Sequence, residues 1–395
     1  MKRILFLTHQ CPYPPVSGGA IKRWKNIEYL SKNQSLALAL FYQDQGISCR
    51  DELLSRVNIS YVYEEHLFKK RNVFNLLKSH IRQVPLSLVR NYSATFQRHI
   101  EKIAADYEIL FLDSYLMFQY VPDRFAGRVL LHMHNAEHVI WEQYARNEKN
   151  ILKKAFACRE AGKIREYEKV ICGKSHAVLA APKDIECLKK IGVAAGKFYE
   201  TYHLGDEALL QEPDIEFDKT EEALLCVATL TWEPNTDGLL WFIRNAWDSL
   251  KQQFPELRFY IVGRNPDPRL QKICNSRKDI FLPGFVEDLK GYYSKCRVFV
   301  APLRFGSGMK VKVINAMYRG IPAVTTPAGV ESLEVQDMHH VAIAETQEKM
   351  VEACSVLLQD KAKWEVLRDN SRKLVREKYT WDKVFVNLKK AINGE

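Results

Sequence analysis

No Cys-x-x-Cys pair occurs in this chain, although it holds nine cysteines. They stand at 11, 49, 158, 172, 187, 226, 274, 296 and 354, odd in number and widely scattered. That spacing excludes a zinc ribbon and a disulfide framework, and predicts reduced, buried thiols of a cytoplasmic protein. Nor is there an apolar run near the ~20 residues that a membrane-spanning helix needs. The first apolar stretch, Ile4 to Leu7 in MKRILFLTHQ, is too short for a signal-peptide core and reads as a buried strand. No repeat of 20–50 residues and no low-complexity segment is present, which excludes solenoid and fibrous architectures.

What the sequence does contain is globular: 395 residues, 47% hydrophobic and 27% charged, enough for two domains of similar size. The net charge of +10 is uneven. Residues 1–205 carry 31 lysines and arginines against 20 acids, and the remainder 27 against 28. The first half therefore faces something anionic: a membrane surface, a phosphorylated substrate or nucleic acid.

Short apolar runs alternate with helical stretches in both halves, the pattern of parallel α/β domains. Strands are predicted at Ile4–Thr8, Leu36–Phe41, Ile109–Leu112 and Val129–Met133. In the second half they are predicted at Leu224–Leu230, Phe259–Val262, Ile280–Leu282, Val298–Pro302 and Pro322–Thr325. Helices are expected over Thr236–Gln252 and Val286–Lys295. An acidic, weakly periodic stretch, Gly205–Thr220, reads as a linker. A final amphipathic helix follows Arg376, with Trp381, Val384, Val386, Leu388 and Ile392 as candidate apolar contacts. Parallel sheets bind ligands at the carboxyl ends of their strands, so two facing sheets would place a ligand in a central cleft.

The segment FGSGMKVKVINAMYRGIPAVT, Phe305–Thr325, carries the most chemistry. A strand runs into a Gly-Ser-Gly turn and a helix opens near Met309. Free N–H groups at such a helix start, with the dipole behind them, attract an anion. Gly308, Lys312 and Asn315 share one helix face. A phosphate-holding turn, a lysine to pair with it and a polar residue one turn on suit a nucleoside diphosphate; the alternative is an ordinary strand-to-helix connection with a surface lysine.

This segment resembles the nucleotide-sugar site of retaining GT-B glycosyltransferases of family 4, through Lys312, Ala316-Met317, Gly320 and Pro322. Further matches are VATLTWEPN (Val227–Asn235), IVG (Ile261–Gly263), GFV (Gly284–Val286) and AGVESL (Ala328–Leu333). The resemblance implies two facing Rossmann-like domains with a central cleft and a C-terminal helix crossing back to the first. It assigns residues 1–205 plus 376–395 to an acceptor-side domain and 206–375 to the nucleotide-sugar domain. Donor-binding residues would be Gly18, Gly19, Thr231, Gly263, Val286, Gly308, Met309, Lys310 and Asn315. His134, Lys312 and Glu331 would serve the transfer, with His134 and Glu331 orienting the sugar.

Two departures from the family pattern stand out. Its two glutamates, separated by seven intervening residues, are replaced by Ser307 and Asn315. A carboxylate accepts from two ribose hydroxyls at once, whereas an amide accepts through one atom and donates through the other. The arginine that relatives place after the first strand of the second domain is missing, leaving Lys310, Lys312 and Arg304 as cations for the diphosphate. No Asp-x-Asp triplet exists to hold Mn²⁺ or Mg²⁺, so no metal and no cofactor is expected; lysines and helix termini would stabilise the leaving diphosphate instead.

In the first half, PYPPVSGGAIKRW (Pro12–Trp24) follows the first strand, with Ser17 as an expected N-cap and Gly18 and Gly19 allowing close backbone approach. In LLHMHNAEHVIW (Leu130–Trp141), three histidines, His132, His134 and His138, match no zinc signature in spacing, and His134 and His138 lack an evident third ligand. Asn135 and Glu137 are candidate helpers of His134.

From Lys69 to Arg98 there are seven basic residues and no acid, interleaved with apolar ones. Residues 68–98 thus suit an anionic membrane surface, in two pieces divided at Pro85. No nucleic-acid reader motif accompanies the charge. The resemblance then implies transfer of a sugar from a UDP- or GDP-linked donor to a saccharide or lipid-linked acceptor, with retention. Cell-surface polysaccharide or glycolipid synthesis would be the setting, in the cytoplasm or on the inner face of its membrane. The alternatives are a non-catalytic partner subunit and a nucleotide-sugar epimerase.

Overall fold

The structure, a computed structural model, describes residues 1–15, 18–42, 48–67, 72–306 and 308–395. Ser17, Ser307 and the start of the basic stretch, Phe68 to Arg71, lie outside the described residues. The chain divides into two units, Met1–His203 with Asp382–Glu395, and Leu204–Trp381.

The first unit holds a parallel sheet of β1 (Arg3–Thr8), β2 (Ser35–Tyr42), β3 (Tyr61–His66), β4 (Ile109–Leu112), β5 (Arg128–His132), β6 (Ala177–Ala180) and β7 (Phe198–Glu200), in the order β3-β2-β1-β4-β5-β6-β7. β1, β2, β4 and β5 are apolar on both faces, because helices cover both sides of the sheet. One core layer contains Leu5, Leu7, Phe41, Phe96 and Leu131; the other contains Phe6, Leu38, Phe111 and Leu130. Helix Trp381–Asn393 closes the second layer with Leu388, Ala391 and Ile392. Polar ties fix it there: Arg128 Nη1 donates to the Ile392 carbonyl at 2.7 Å, and Asn387 Nδ2 to that of Glu200 at 2.9 Å.

The second unit repeats the plan with β8 (Glu221–Val227), β9 (Arg258–Val262), β10 (Ile280–Gly284), β11 (Cys296–Ala301), β12 (Ala323–Thr325) and β13 (Ala342–Ile343), in the order β10-β9-β8-β11-β12-β13. Both sheets reverse strand order once, at β1/β4 and at β8/β11. Such switch points open a crevice at the carboxyl edge.

Four expectations need correction. The predicted helix Thr236–Gln252 is two helices, Glu233–Asn245 and Trp247–Gln253, meeting at Ala246. Residues 205–220 are not a loose linker: they carry two 3₁₀ turns, and arginines of the second unit grip their carbonyls. Arg372 donates to Leu210 and Glu212 at 2.8 and 3.0 Å, Arg319 to Pro213 at 2.8 Å, and Arg368 to Ile215 at 2.8 Å. The last helix begins at Trp381, and the preceding one, Lys361–Lys378, keeps residues 376–381 with the second unit. Finally, Cys11 and Cys49 form a disulfide with Cα atoms 6.5 Å apart, not two reduced thiols. The fold brings the loop after β1 beside the start of helix Arg50–Leu54, a proximity that their 38-residue separation hides.

Candidate functional site

In the second unit every proposed donor residue follows the carboxyl end of a strand. Thr231 comes after β8, Gly263 after β9, Val286 after β10, Gly308 to Asn315 after β11 and Glu331 after β12. The turn beyond β11 needs glycine: Gly306 and Gly308 adopt φ of 126° and 74°. Helix Val311–Arg319 then starts at its N-cap Lys310, whose side chain makes no cap hydrogen bond, and the dipole of its first turn favours an anion. It ends at Gly320, in the left-handed region at φ 78°, whose N–H returns to the Ala316 carbonyl at 2.9 Å.

Lys312 Nζ donates to Asn235 Oδ1, and Asn235 Nδ2 in turn donates to the Thr229 carbonyl at 2.8 Å. The lysine is thereby held over the β8/β11 switch point. Burial of its ammonium lowers its pKa to about 8. Lys310 is buried, with Nζ 2.5 Å from the Gly308 carbonyl, and so braces the glycine turn from within. Arg304 is engaged by both carboxylate oxygens of Asp237 at 2.7 and 2.8 Å.

Asn315 shares its helix face with Lys312, but its Oδ1 already accepts from the Asp206 N–H at 2.9 Å. A Cβ added to Gly205 would fall 1.7 Å from that oxygen, so glycine there makes the contact possible. Toward a ligand, Asn315 can offer its Nδ2. Glu331 is half-buried and makes no hydrogen bond or ion pair with the described residues. Beyond β9 and β10, the Arg264 guanidinium stacks on Phe285 at 3.7 Å, next to Gly263 and Val286.

The first unit gathers a second cluster at its own switch point. Asp113, directly after β4, is fully buried. It accepts from Arg23 Nε at 2.5 Å, His132 Nδ1 at 2.9 Å and Thr8 Oγ1 at 3.4 Å. Burial opposes its ionisation, but Arg23 and the two imidazoles prevail and hold the carboxyl well below the usual range. His134 directs Nε2 to the Asp113 carbonyl at 3.0 Å, and its Nδ1 would lie 3.7 Å from a Cβ on Gly19. Gly19 and His134 therefore adjoin. Lys22, one turn into the helix after Gly18, is buried and donates to Thr201 Oγ1; burial lowers its pKa to about 7 despite the pull of Asp113.

His138 has a structural partner: its Nδ1 lies 2.5 Å from Glu168 Oε2. Glu168 also accepts from the Glu137 N–H at 2.7 Å and so caps helix Glu137–Asn147. Burial, then the Glu168 charge, raises the Glu137 carboxyl to about 7. The residues that sequence reasoning missed are Asp113, Arg23, Lys22, Asn235 and His203. An acid closing the apolar run Ile109–Leu112 was a readable sign of Asp113. His203 follows no apolar run and gave none.

Solved structures of the same fold cover the whole chain. HepE of Anabaena, solved with UDP and glucose, superposes with a TM-score of 0.68 at 13% identity over 100% of both chains. TarM gives 0.70 at 12% identity over 100% of this chain and 99% of that one. WaaG, a glycosyltransferase involved in lipopolysaccharide biosynthesis, gives 0.66 at 14% over 98% of each. The fold is GT-B. Within it, residues 221–360, which hold all of β8 to β13, match the family model "Glycosyl transferases group 1". Among curated proteins, an uncharacterized 44.6 kDa protein in the cps region of Klebsiella pneumoniae is 22% identical over 402 residues, covering 98% of this chain and 99% of that one. A GT-B fold hosts many donors and acceptors, so function rests on the residues at the strand ends.

Proposed function

We propose that the protein transfers a sugar from a nucleoside-diphosphate donor to a saccharide or lipid-linked saccharide acceptor, with retention of the anomeric configuration as in family 4. The observation that carries this reading is the β11 turn. Two left-handed glycines, a helix start and Lys312 converge at the β8/β11 switch point, inside the segment that matches the glycosyltransferase model. An ammonium and oriented N–H groups stabilise charge that builds on a leaving diphosphate, so the transfer itself draws on no divalent ion.

Gly308, Met309 and Lys310 line the phosphate turn. Thr231, Gly263 and Val286 flank it at neighbouring strand ends, Asn315 offers an amide to ribose, and Glu331 and His134 orient the sugar. Gly18 and Gly19 let the first unit approach the donor. The UDP complex of HepE and the lipopolysaccharide role of WaaG support a UDP-sugar and a cell-surface product. The capsule-region relative agrees. We further assign the anionic-surface contact to helix Val73–Arg82, and a site of action on the inner face of the cytoplasmic membrane.

Thermal unfolding with UDP, GDP and ADP, each with and without EDTA, tests the donor site. One nucleotide at a hundred times its Kd should stabilise by about 2.7 kcal/mol, unchanged by EDTA and lost in Lys312→Met. No shift with any of the three overturns the reading. A non-catalytic subunit is favoured by one observation, the tie between Asn315 Oδ1 and Asp206. If Asn315→Glu raises donor turnover from a negligible level, that second reading gains.

A further inference from the structure

His132, His134 and His203 come from different segments: His132 ends β5, His134 lies in the loop beyond it, and His203 follows β7 where the chain leaves the first unit. A ring nitrogen of each lies within 4.8 Å of those of the other two. Ring centroids are 4.4 Å apart for His132 and His134, 5.2 Å for His134 and His203, and 5.7 Å for His132 and His203.

The hydrogen bonds fix which atoms are free. Asp113 is ionised beside Arg23, so its carboxylate can only accept, and His132 must donate Nδ1–H to it. The lone pair of His132 is then on Nε2, a fully buried atom with no hydrogen-bond partner among the described residues. His203 Nε2 is likewise buried and without a partner. The Asp113 carbonyl also only accepts, so His134 donates Nε2–H and keeps its lone pair on Nδ1.

We propose that His132, His134 and His203 bind a divalent transition ion of the zinc class in the first unit. The mutually close donors among the described residues are three imidazoles, with Asp113 Oδ1 on the far nitrogens of His132 and His134 at 2.9 and 3.3 Å, a set that suits zinc, cobalt or nickel rather than the hard cations magnesium and calcium. Asp113 behind His132 is the outer carboxylate that fixes a ligating imidazole's tautomer. Zinc–nitrogen bonds of 2.0–2.1 Å bring tetrahedral ligands to about 3.4 Å from one another. The rings therefore close by rotation as the ion enters past His134, the least buried of the three, at 14% side-chain exposure. Bound there, the ion joins the β5 and β7 loops and pins the segment at which the chain departs toward the second unit. It takes no part in the diphosphate chemistry, and the inference shares only His134 with the proposed donor site: with Nε2 on the Asp113 carbonyl, its Nδ1 serves the ion or the sugar, not both at once.

The test is titration of the EDTA-stripped, desalted chain with Co²⁺, followed by its visible absorption, and with Zn²⁺ by calorimetry. One ion per chain, with the intense visible bands of tetrahedral cobalt, is expected. His203→Gln and His132→Gln should each weaken binding about tenfold or more, and His134→Gln likewise. The nucleotide-induced thermal shift should persist in His203→Gln, which separates this site from the donor site. Absence of stoichiometric binding to the unsubstituted chain overturns the proposal, whatever UDP does. Binding that survives His203→Gln and His132→Gln overturns it equally.

Discussion

Lys312 shows how one residue links packing to ligand chemistry. Burial leaves its ammonium with a pKa of about 8, and a bound diphosphate would need the charged form. Protonation is complete well below pH 8, so UDP affinity should be flat from pH 6 to 7 and fall above 8. The decline approaches tenfold per unit until the raised pKa of the complex is reached. Lys312→Arg, which keeps its charge to high pH, should abolish this fall. Calorimetric titration across that range decides: a pH-independent affinity in the unsubstituted chain removes Lys312 from the phosphate site. The lysine itself was legible, because glycine turn, cation and helix face sit together in one short segment. Its partner Asn235 was not read as one, since it lies 77 residues away and meets Lys312 only once β8 and β11 pair. The same limit hid the Asp206 bond to Asn315, which engages the amide's only acceptor atom.

At the scale of elements, helix Glu137–Asn147 starts on Ala136, which has no capping side chain, and depends on Glu168 from another helix. Glu168→Ala leaves the Glu137 N–H and His138 Nδ1 without their acceptor in a buried position. Charge-assisted bonds of this kind are worth about 1.5–3 kcal/mol each. Chemical denaturation should therefore show a loss of roughly 3 kcal/mol, and a loss under about 0.5 kcal/mol would remove the cap from the account. Strands with long apolar runs were legible: β1, β2, β4 and β5 in the first unit, and β8 to β12 in the second. β3 was not, because Tyr61–His66, YVYEEH, ends in two glutamates and a histidine and has no apolar run. β6 has only four residues, two of them alanine, directly after a 24-residue helix. β7 and β13, of three and two residues, are sheet edges too short to impose a pattern.

For the molecule as a whole, the excess positive charge sits in the first unit. There helix Val73–Arg82 turns Val73, Phe74, Leu77 and Ile81 to solvent, at 76%, 79%, 54% and 71% exposure. Lys78 and Arg82 lie on the same short helix, while Leu88, beyond the break at Pro85, turns into the core. The chain should partition onto vesicles containing anionic lipid and far less onto neutral ones. Phe74→Ser with Ile81→Ser removes roughly 2 kcal/mol of apolar burial per residue, which should lower partition more than tenfold in a flotation assay. Equal flotation with both lipids, or no effect of the substitutions, ends the membrane assignment. No helix among the described residues is long and apolar enough to cross a membrane, so contact of this kind would be confined to the surface. The last helix also bears on how the chain is made. Leu388, Ala391 and Ile392 complete a core begun by Ile4 and Phe6, with the entire second unit encoded between them. On the ribosome, then, the second unit emerges with all its strands while the first still lacks a wall. The domain begun first is finished last, and its exposed apolar layer must wait, in the nascent chain, for the final turns of helix to arrive.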